Sequence, residues 1–170
     1  DVEDICRKTI FQPTVDAMRE EGREFKGVLY FGLMLTADGP KVVEYNTRFG
    51  DPETQVVLPR METDIIDVFE ACMNGTLDQV DLKFSDNAAV CVVLASGGYP
   101  SSYEKGKVIT GLENFDGRDD LFCFHAGTKF DENGETVTSG GRVLGVTALA
   151  GTLKEARAKA YEAVKLVSFD

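Results

Sequence analysis

The sequence predicts an α+β chain in two parts: a helix-flanked antiparallel strand pair, then a small, mostly antiparallel β part closed by one helix. Three observations carry this. Apolar residues recur at helical spacing over the first twenty positions and give way to a strand-turn-strand pattern ending at Asn46. A polar, turn-rich stretch, Thr76 to Asn87, then divides the chain into 1–86 and 87–170. Beyond it come short β-type runs separated by Ser96-Gly97-Gly98, Asp116-Gly117, Asn133-Gly134 and Gly140-Gly141, and finally a helical stripe.

Taken in order, Val2 to Glu21 has Val2, Ile5, Cys6 and Ile10 at spacings of three and four, as do Thr14, Ala17 and Met18. Pro13 predicts a kink or two short helices, and Gly22 the stop. Val28 to Leu35 is apolar at both parities, so a central strand covered on both faces is expected. Ala37-Asp38-Gly39-Pro40 is a turn, and Lys41 to Asn46 the returning strand. Asp51 before Pro52 reads as an N-cap with proline at the first helical position, starting a short helix that ends near Pro59. A second helix is expected from Thr63 to Met73, with Ile65, Ile66, Phe69 and Met73 inward and Asn74-Gly75 closing it. The β part is assigned to Ala88–Ala95, Val108–Leu112, Leu121–Thr128, Thr136–Thr138 and Arg142–Leu149. The last helix starts at Thr152, which forms a capping box with Glu155; Leu153, Ala156, Ala160, Val164 and Val167 make its inward stripe.

Composition excludes several functions. In 170 residues, 43% are apolar and 28% charged, which fits a folded domain. No apolar run reaches the roughly 18 residues of a membrane span; the longest, Ala88 to Ala95, is strand-sized. With 29 acidic and 18 basic residues the net charge is −11, unfavourable for nucleic acid. The four cysteines lie 66, 19 and 32 residues apart without a CxxC, and His125 is the single histidine. A zinc site and a Ser-His-Asp triad are therefore not expected, while reduced core thiols in a cytoplasmic protein are. The chain begins at Asp1 and its first twenty residues resemble the middle of a fold, so a longer parent polypeptide is expected.

The chemistry concentrates in Glu44-Tyr45-Asn46-Thr47-Arg48-Phe49-Gly50-Asp51-Pro52-Glu53. On a strand, Val43 and Tyr45 face one way, into a core, and Glu44 and Asn46 face the other way together. A carboxylate and an amide oxygen side by side are hard ligands suited to Mg²⁺, which keeps waters and is completed by phosphates. Arg48 continues the same parity if the strand runs that far, and offers a bidentate fork. The helix expected at Asp51-Pro52 would add free N–H groups and a positive dipole end. The competing reading is a strand end carrying ordinary solvated polar residues.

The run GVLYFGLMLTADGPKVVEYNTRFGDPETQVVLPR resembles the glycinamide ribonucleotide synthetase (phosphoribosylamine–glycine ligase) family of ATP-grasp enzymes. ASGGYPSSYEKGKVITGL, FHAGTKF and TSGGRVLGVTALAGT extend the resemblance in family order and spacing. A bare Glu-x-Asn-x-Arg is shared with biotin carboxylase-like enzymes; the Arg-Phe-Gly-Asp-Pro-Glu extension together with the three downstream motifs carries the specific resemblance, and a biotin carboxylase-like or other purine-pathway ATP-grasp ligase is the nearest alternative. The resemblance implies that residues 1–86 are the metal-bearing half of an ATP-grasp sheet. It implies a purine-biosynthetic ligase that joins glycine to 5-phosphoribosylamine with ATP, through an acyl phosphate. Glu44 and Asn46 match the family's Mg²⁺ or Mn²⁺ ligands, and Arg48 would stabilise the acyl phosphate. Asp51, Gly140, Gly141 and Arg142 are candidates for substrate binding, the glycines through backbone N–H groups. His125 is a weaker candidate, read first as a hydrogen-bonded histidine at a strand end, and Gly97-Gly98-Tyr99-Pro100 as a tight turn. The family's N-terminal domain and most of its ATP-binding lobe lie outside this sequence, so the missing N-terminal part of the same polypeptide is an expected partner and the chain alone is expected to be inactive. Val28 to Leu35 also lacks the acid that many ATP-grasp enzymes carry there, and Gly32 sits at its middle. A non-catalytic module on this fold is the alternative of a different class; an apolar residue in place of Glu44 or Asn46 would signal it.

Overall fold

The computed structural model describes residues 1–169. The chain divides into two compact units, Asp1–Gly50 with Thr63–Leu82, and Asp51–Glu62 with the chain from Lys83 onward. The segment 51–62, N-terminal to the division expected at 86/87, thus groups with the second unit.

In the first unit, Asp1 caps α1 (Val2–Cys6) by accepting from the Glu3 N–H at 3.0 Å. The helix continues through a π turn, Arg7–Phe11, into α2 (Gln12–Glu20). Pro13 therefore does not break it. The turn just before it is widened by one residue, closed by the Gln12 N–H donating to the Arg7 carbonyl, and this opens space where the proline ring would otherwise press on the preceding turn. Gly22 ends the helix at φ +71°, with Arg23 N–H donating to the Met18 carbonyl and Gly22 N–H to that of Arg19, a Schellman closure.

Strands β1 (Tyr30–Thr36) and β2 (Gly39–Asn46) form an antiparallel pair. Phe11 of the helix packs on Phe31, with ring centroids 4.6 Å apart, and Phe31 meets Tyr45 edge-on at 5.4 Å. Cys6 and Ile10 are buried on this side. The expectation that β1 is covered on both faces does not hold: it has one strand neighbour, and Met34 and Leu35 are 57% and 65% exposed. Pairing slips by one residue between Gly32↔Glu44 and Leu33↔Val42, making Val43 the extra residue of a β-bulge. That slip reverses the parity, so Val42 rather than Val43 lines the apolar cavity of about 570 Å³ with Tyr45, Ile10 and Met18, and Val43 is exposed.

Helix α4 (Ile65–Asn74) is capped by Asp64, not Thr63, through the Ile66 N–H at 2.8 Å, and Gly75 closes it at φ +70°. It turns Ile65, Val68, Ala71 and Cys72 inward; Ile66, Phe69 and Met73, expected inside, are exposed. Both sets repeat at helical spacing, so periodicity alone does not choose between them.

In the second unit, β3 (Ala88–Ala95), β4 (Leu121–His125) and β7 (Arg142–Ala150) form an antiparallel sheet in the order β3-β7-β4. Strand β7 is buried at every position from Val143 to Leu149, as a central strand covered on both faces must be. Helix α5 (Leu153–Val164) covers one face, burying Ala156 and placing Ala160 and Ala163 in one cluster with Leu144, Val146 and Ala148. Leu153, expected inward, is at the first helical position and 66% exposed. The Thr152 hydroxyl accepts from the Glu155 N–H and donates to the Glu155 carboxylate. On the opposite face lies α3 (Thr54–Val57): a Cβ placed on Gly145 would meet Cys91 Sγ at 3.2 Å and Gln55 Cγ at 3.8 Å.

The run expected as one strand from Leu121 to Thr128 is two. It breaks at Ala126-Gly127, and β5 (Thr128–Phe130) leaves to pair with β6 (Thr136–Thr138). Val108–Leu112 is not a strand; Val108 and Thr110 make isolated bridges to Val137 and Ser168, and a 3₁₀ turn starts at Leu112.

Candidate functional site

Glu44 and Asn46 are neighbours on one face of β2, and the Asn46 Nδ2 donates to Glu44 Oε1 at 3.2 Å. Alternation puts them together, and the returning hairpin exposes that face. The pair offers carboxylate and amide oxygens, the chemistry of a hard divalent cation. To aim both at one ion the Asn46 amide must turn over, a rotation about its terminal torsion alone. Among the described residues no cluster of three or more His, Cys, Asp or Glu could hold a metal by itself, so an ion here would be completed by phosphate and water.

Directly across the hairpin, Gly32 pairs with Glu44, and a Cβ there would lie 2.8 Å from Glu44 Cγ. Arg48 is not on the strand face: β2 ends at Asn46, Arg48 sits in the following bend, and its Nη1 donates to the Phe49 carbonyl at 2.7 Å.

The other candidates belong to the second unit. Asp51 is not an N-cap. Helix α3 begins after Glu53 without a side-chain cap and is four residues long, so the expected anion-binding helix end is not formed. The Asp51 carboxylate is instead engaged by Gln55 Nε2 at 3.0 Å and by Arg142 Nη2 at 3.1 Å, and Arg142 Nη1 also donates to the Asp51 carbonyl at 3.0 Å. Two substrate candidates 91 residues apart are therefore each other's partners.

The Gly140 N–H donates to the Gly127 carbonyl, so it is not free to cradle a phosphate. Its glycine serves contact: a Cβ on Gly127 would come within 2.5 Å of the Gly140 Cα and the Arg142 carbonyl. A Cβ on Gly141 would run into the Tyr99 ring, which the turn at 97–100 places there. His125 ends β4 with Nδ1 3.0 Å from Thr128 Oγ1, the structural arrangement expected for it. Burial pushes the Cys123 thiol up to about 11 and raises that of Cys91, which keeps both protonated and unreactive at neutral pH.

Two family profiles match this chain. The profile for "Phosphoribosylglycinamide synthetase, ATP-grasp (A) domain" matches residues 1–54, and that for "Phosphoribosylglycinamide synthetase, C domain" matches residues 89–170. The chain belongs to the phosphoribosylglycinamide synthetase family. It is 50% identical over 161 residues to a "Phosphoribosylamine--glycine ligase" of Caldanaerobacter subterraneus, covering 95% of this chain and 38% of that protein. It is also 50% identical over 165 residues to a "Bifunctional purine biosynthetic protein" of Pichia angusta, covering 96% of this chain and 20% of that one. The crystal structure of phosphoribosylamine–glycine ligase from Thermotoga maritima superposes with a TM-score of 0.76 at 37% identity, over 90% of this chain and 37% of that chain. This synthetase-family chain thus spans well under half the length of the relatives it matches. No helix among its described residues is long and apolar enough to cross a membrane.

Proposed function

We propose that the polypeptide carrying this chain is an ATP-dependent ligase that joins glycine to 5-phosphoribosylamine, and that this chain supplies its metal and phosphate face. The observation that carries the reading is 50% identity across 95% of the chain to a protein named for that reaction, with Glu44 and Asn46 together on the exposed face of β2.

Glu44 and Asn46 hold Mg²⁺ or Mn²⁺ through one carboxylate and one amide oxygen. When bound, the ion neutralises charge on the ATP phosphates. Glycine's carboxylate takes the γ-phosphoryl group of ATP, giving an acyl phosphate and ADP. The amine of phosphoribosylamine attacks the acyl carbon, phosphate leaves, and the amide forms. Arg48 stabilises the acyl phosphate by exchanging its present partner, the Phe49 carbonyl, for phosphate oxygens. Its place on an exposed bend leaves the side chain room to make that exchange. Arg142 serves substrate phosphate on the same terms, by giving up Asp51. Gly140 and Gly141 act by letting the backbone close up around Gly127 and Tyr99. The whole enzyme would work in the cytoplasm, without nucleic acid or membrane.

The test is an assay of the purified full-length protein for ADP release from ATP, with glycine and 5-phosphoribosylamine omitted in turn. Hydroxylamine should trap a glycyl hydroxamate when the amine is absent. ADP release that ignores glycine and responds to a different carboxylic acid or to bicarbonate would overturn the assignment in favour of another ATP-grasp ligase.

A further inference from the structure

We infer that Gly32 is a positioning residue for Glu44: its missing side chain is the space in which the Glu44 stem lies. The inference rests on the metal reading above and adds a residue to it.

Glycine is disfavoured inside a strand, where it packs nothing and loses the most backbone freedom on folding. A reason for it must therefore come from conformation or from space. Conformation is not the reason, because Gly32 is absent from the glycines of the described chain that take positive φ. Space is. Gly32 stands opposite Glu44 in the β1–β2 register, and a Cβ on it would lie 2.8 Å from Glu44 Cγ and 3.6 Å from both Oε1 and the Glu44 carbonyl oxygen. Cγ is the middle of the side chain, so it escapes only by a change at χ1, which carries the carboxylate away from Asn46 Nδ2. The bulge lies immediately beyond, where pairing slips between Gly32 and Leu33. Bulges re-aim side chains next to functional sites. Here glycine and bulge together let the Glu44 stem fold down over β1 and present its carboxylate beside Asn46.

The experiment compares Gly32→Ala, Glu44→Gln, Glu44→Ala and the Gly32→Ala/Glu44→Ala double variant in the full-length protein. Binding of Mn²⁺ alone is read from the loss of the free-ion electron paramagnetic resonance signal, and thermal stability from the melting temperature. Gly32→Ala should weaken Mn²⁺ binding on the order of tenfold, as loss of support behind a metal ligand does. It should lower the melting temperature in the wild-type background but not on Glu44→Ala, where alanine has no Cγ to meet. Should Gly32→Ala fail to fold, a folded double variant supports the clash and an unfolded one overturns it. If Glu44→Gln loses Mn²⁺ while Gly32→Ala keeps it, or if the melting temperature falls equally in both backgrounds, the inference is overturned and the metal reading stands. If Glu44→Gln binds Mn²⁺ as the wild type does, the metal reading falls and the inference with it.

Discussion

At Glu44 and Tyr45, adjacent residues point to opposite faces of β2, one toward the exposed oxygen pair and the other onto the Phe31 ring. In the full-length enzyme Glu44→Gln should lower turnover on the order of a hundredfold or more, the equivalent of about 3 kcal/mol of lost transition-state stabilisation. Tyr45→Phe keeps the ring contact and should leave turnover nearly unchanged. Equal rates in a steady-state assay would reject the face assignment. A second residue-scale prediction concerns pH. Hydrogen bonds from Arg118, and then from Lys159, hold the Asp120 carboxyl at about 2, below the ordinary carboxylate range. Folding therefore favours the ionised form, and the stabilisation is complete above about pH 4 and lost as pH falls toward 2. The Asp120 side chain is one-third exposed, so the effect is on the order of 1 kcal/mol or less. Denaturant titrations should show Asp120→Asn less stable than wild type at pH 7, with the gap closing between pH 4 and 2; a gap that persists at low pH would contradict this. Individual residues were legible in the sequence where chemistry follows from local alternation, as for Glu44 and Asn46. They were not where a partner is remote. Nothing near Asp51 in sequence points to Arg142, and a local rule made it an N-cap while the fold made it half of an ion pair.

Elements whose burial shows in their own residue pattern were foreseeable. β7 carries a nearly continuous apolar run and α5 a periodic apolar stripe, and each lies close to its expected bounds. Elements decided by register or close approach were not. The β2 bulge depends on pairing with β1, so its reversed parity at Val42 and Val43 leaves no mark in β2 itself. The break between β4 and β5 is set by Gly127 meeting a second glycine from the far side of the β5–β6 hairpin. A methyl group there has backbone on both sides, the Gly140 Cα and the Arg142 carbonyl, and no flexible side chain to push aside. Gly127→Ala should therefore destabilise the second unit by about 1–3 kcal/mol, as overpacking does. The same substitution at Gly134, which has nothing within 4 Å, meets only the strain of its positive φ. Melting curves of the two variants separate the mechanisms: a smaller loss at Gly127 than at Gly134 would show that the crossing relaxes.

At the scale of the whole molecule, the apolar residues left uncovered on β1 and α4 accord with relatives far longer than this chain. The family resemblance implies that the residues surrounding adenine lie outside it, and remote binding energy of that kind positions a nucleotide. Isothermal titration of the 170-residue chain with Mg-ATP should accordingly show no micromolar binding; a micromolar dissociation constant would mean that the chain holds a complete nucleotide site. The interleaving of the two units has a consequence for heredity. The chain passes from one unit to the other at 50/51, 62/63 and 82/83. A single genetic crossover between two divergent parents at any of these passages therefore cannot keep both units whole. A junction at 50/51 gives the first unit mixed ancestry, one at 82/83 does the same to the second, and one at 62/63 to both. A hybrid joined at 86/87 takes Asp51 and Gln55 from one parent and Arg142 and Gly145 from the other. It should melt below a hybrid joined at all three passages, which inherits each unit from a single parent.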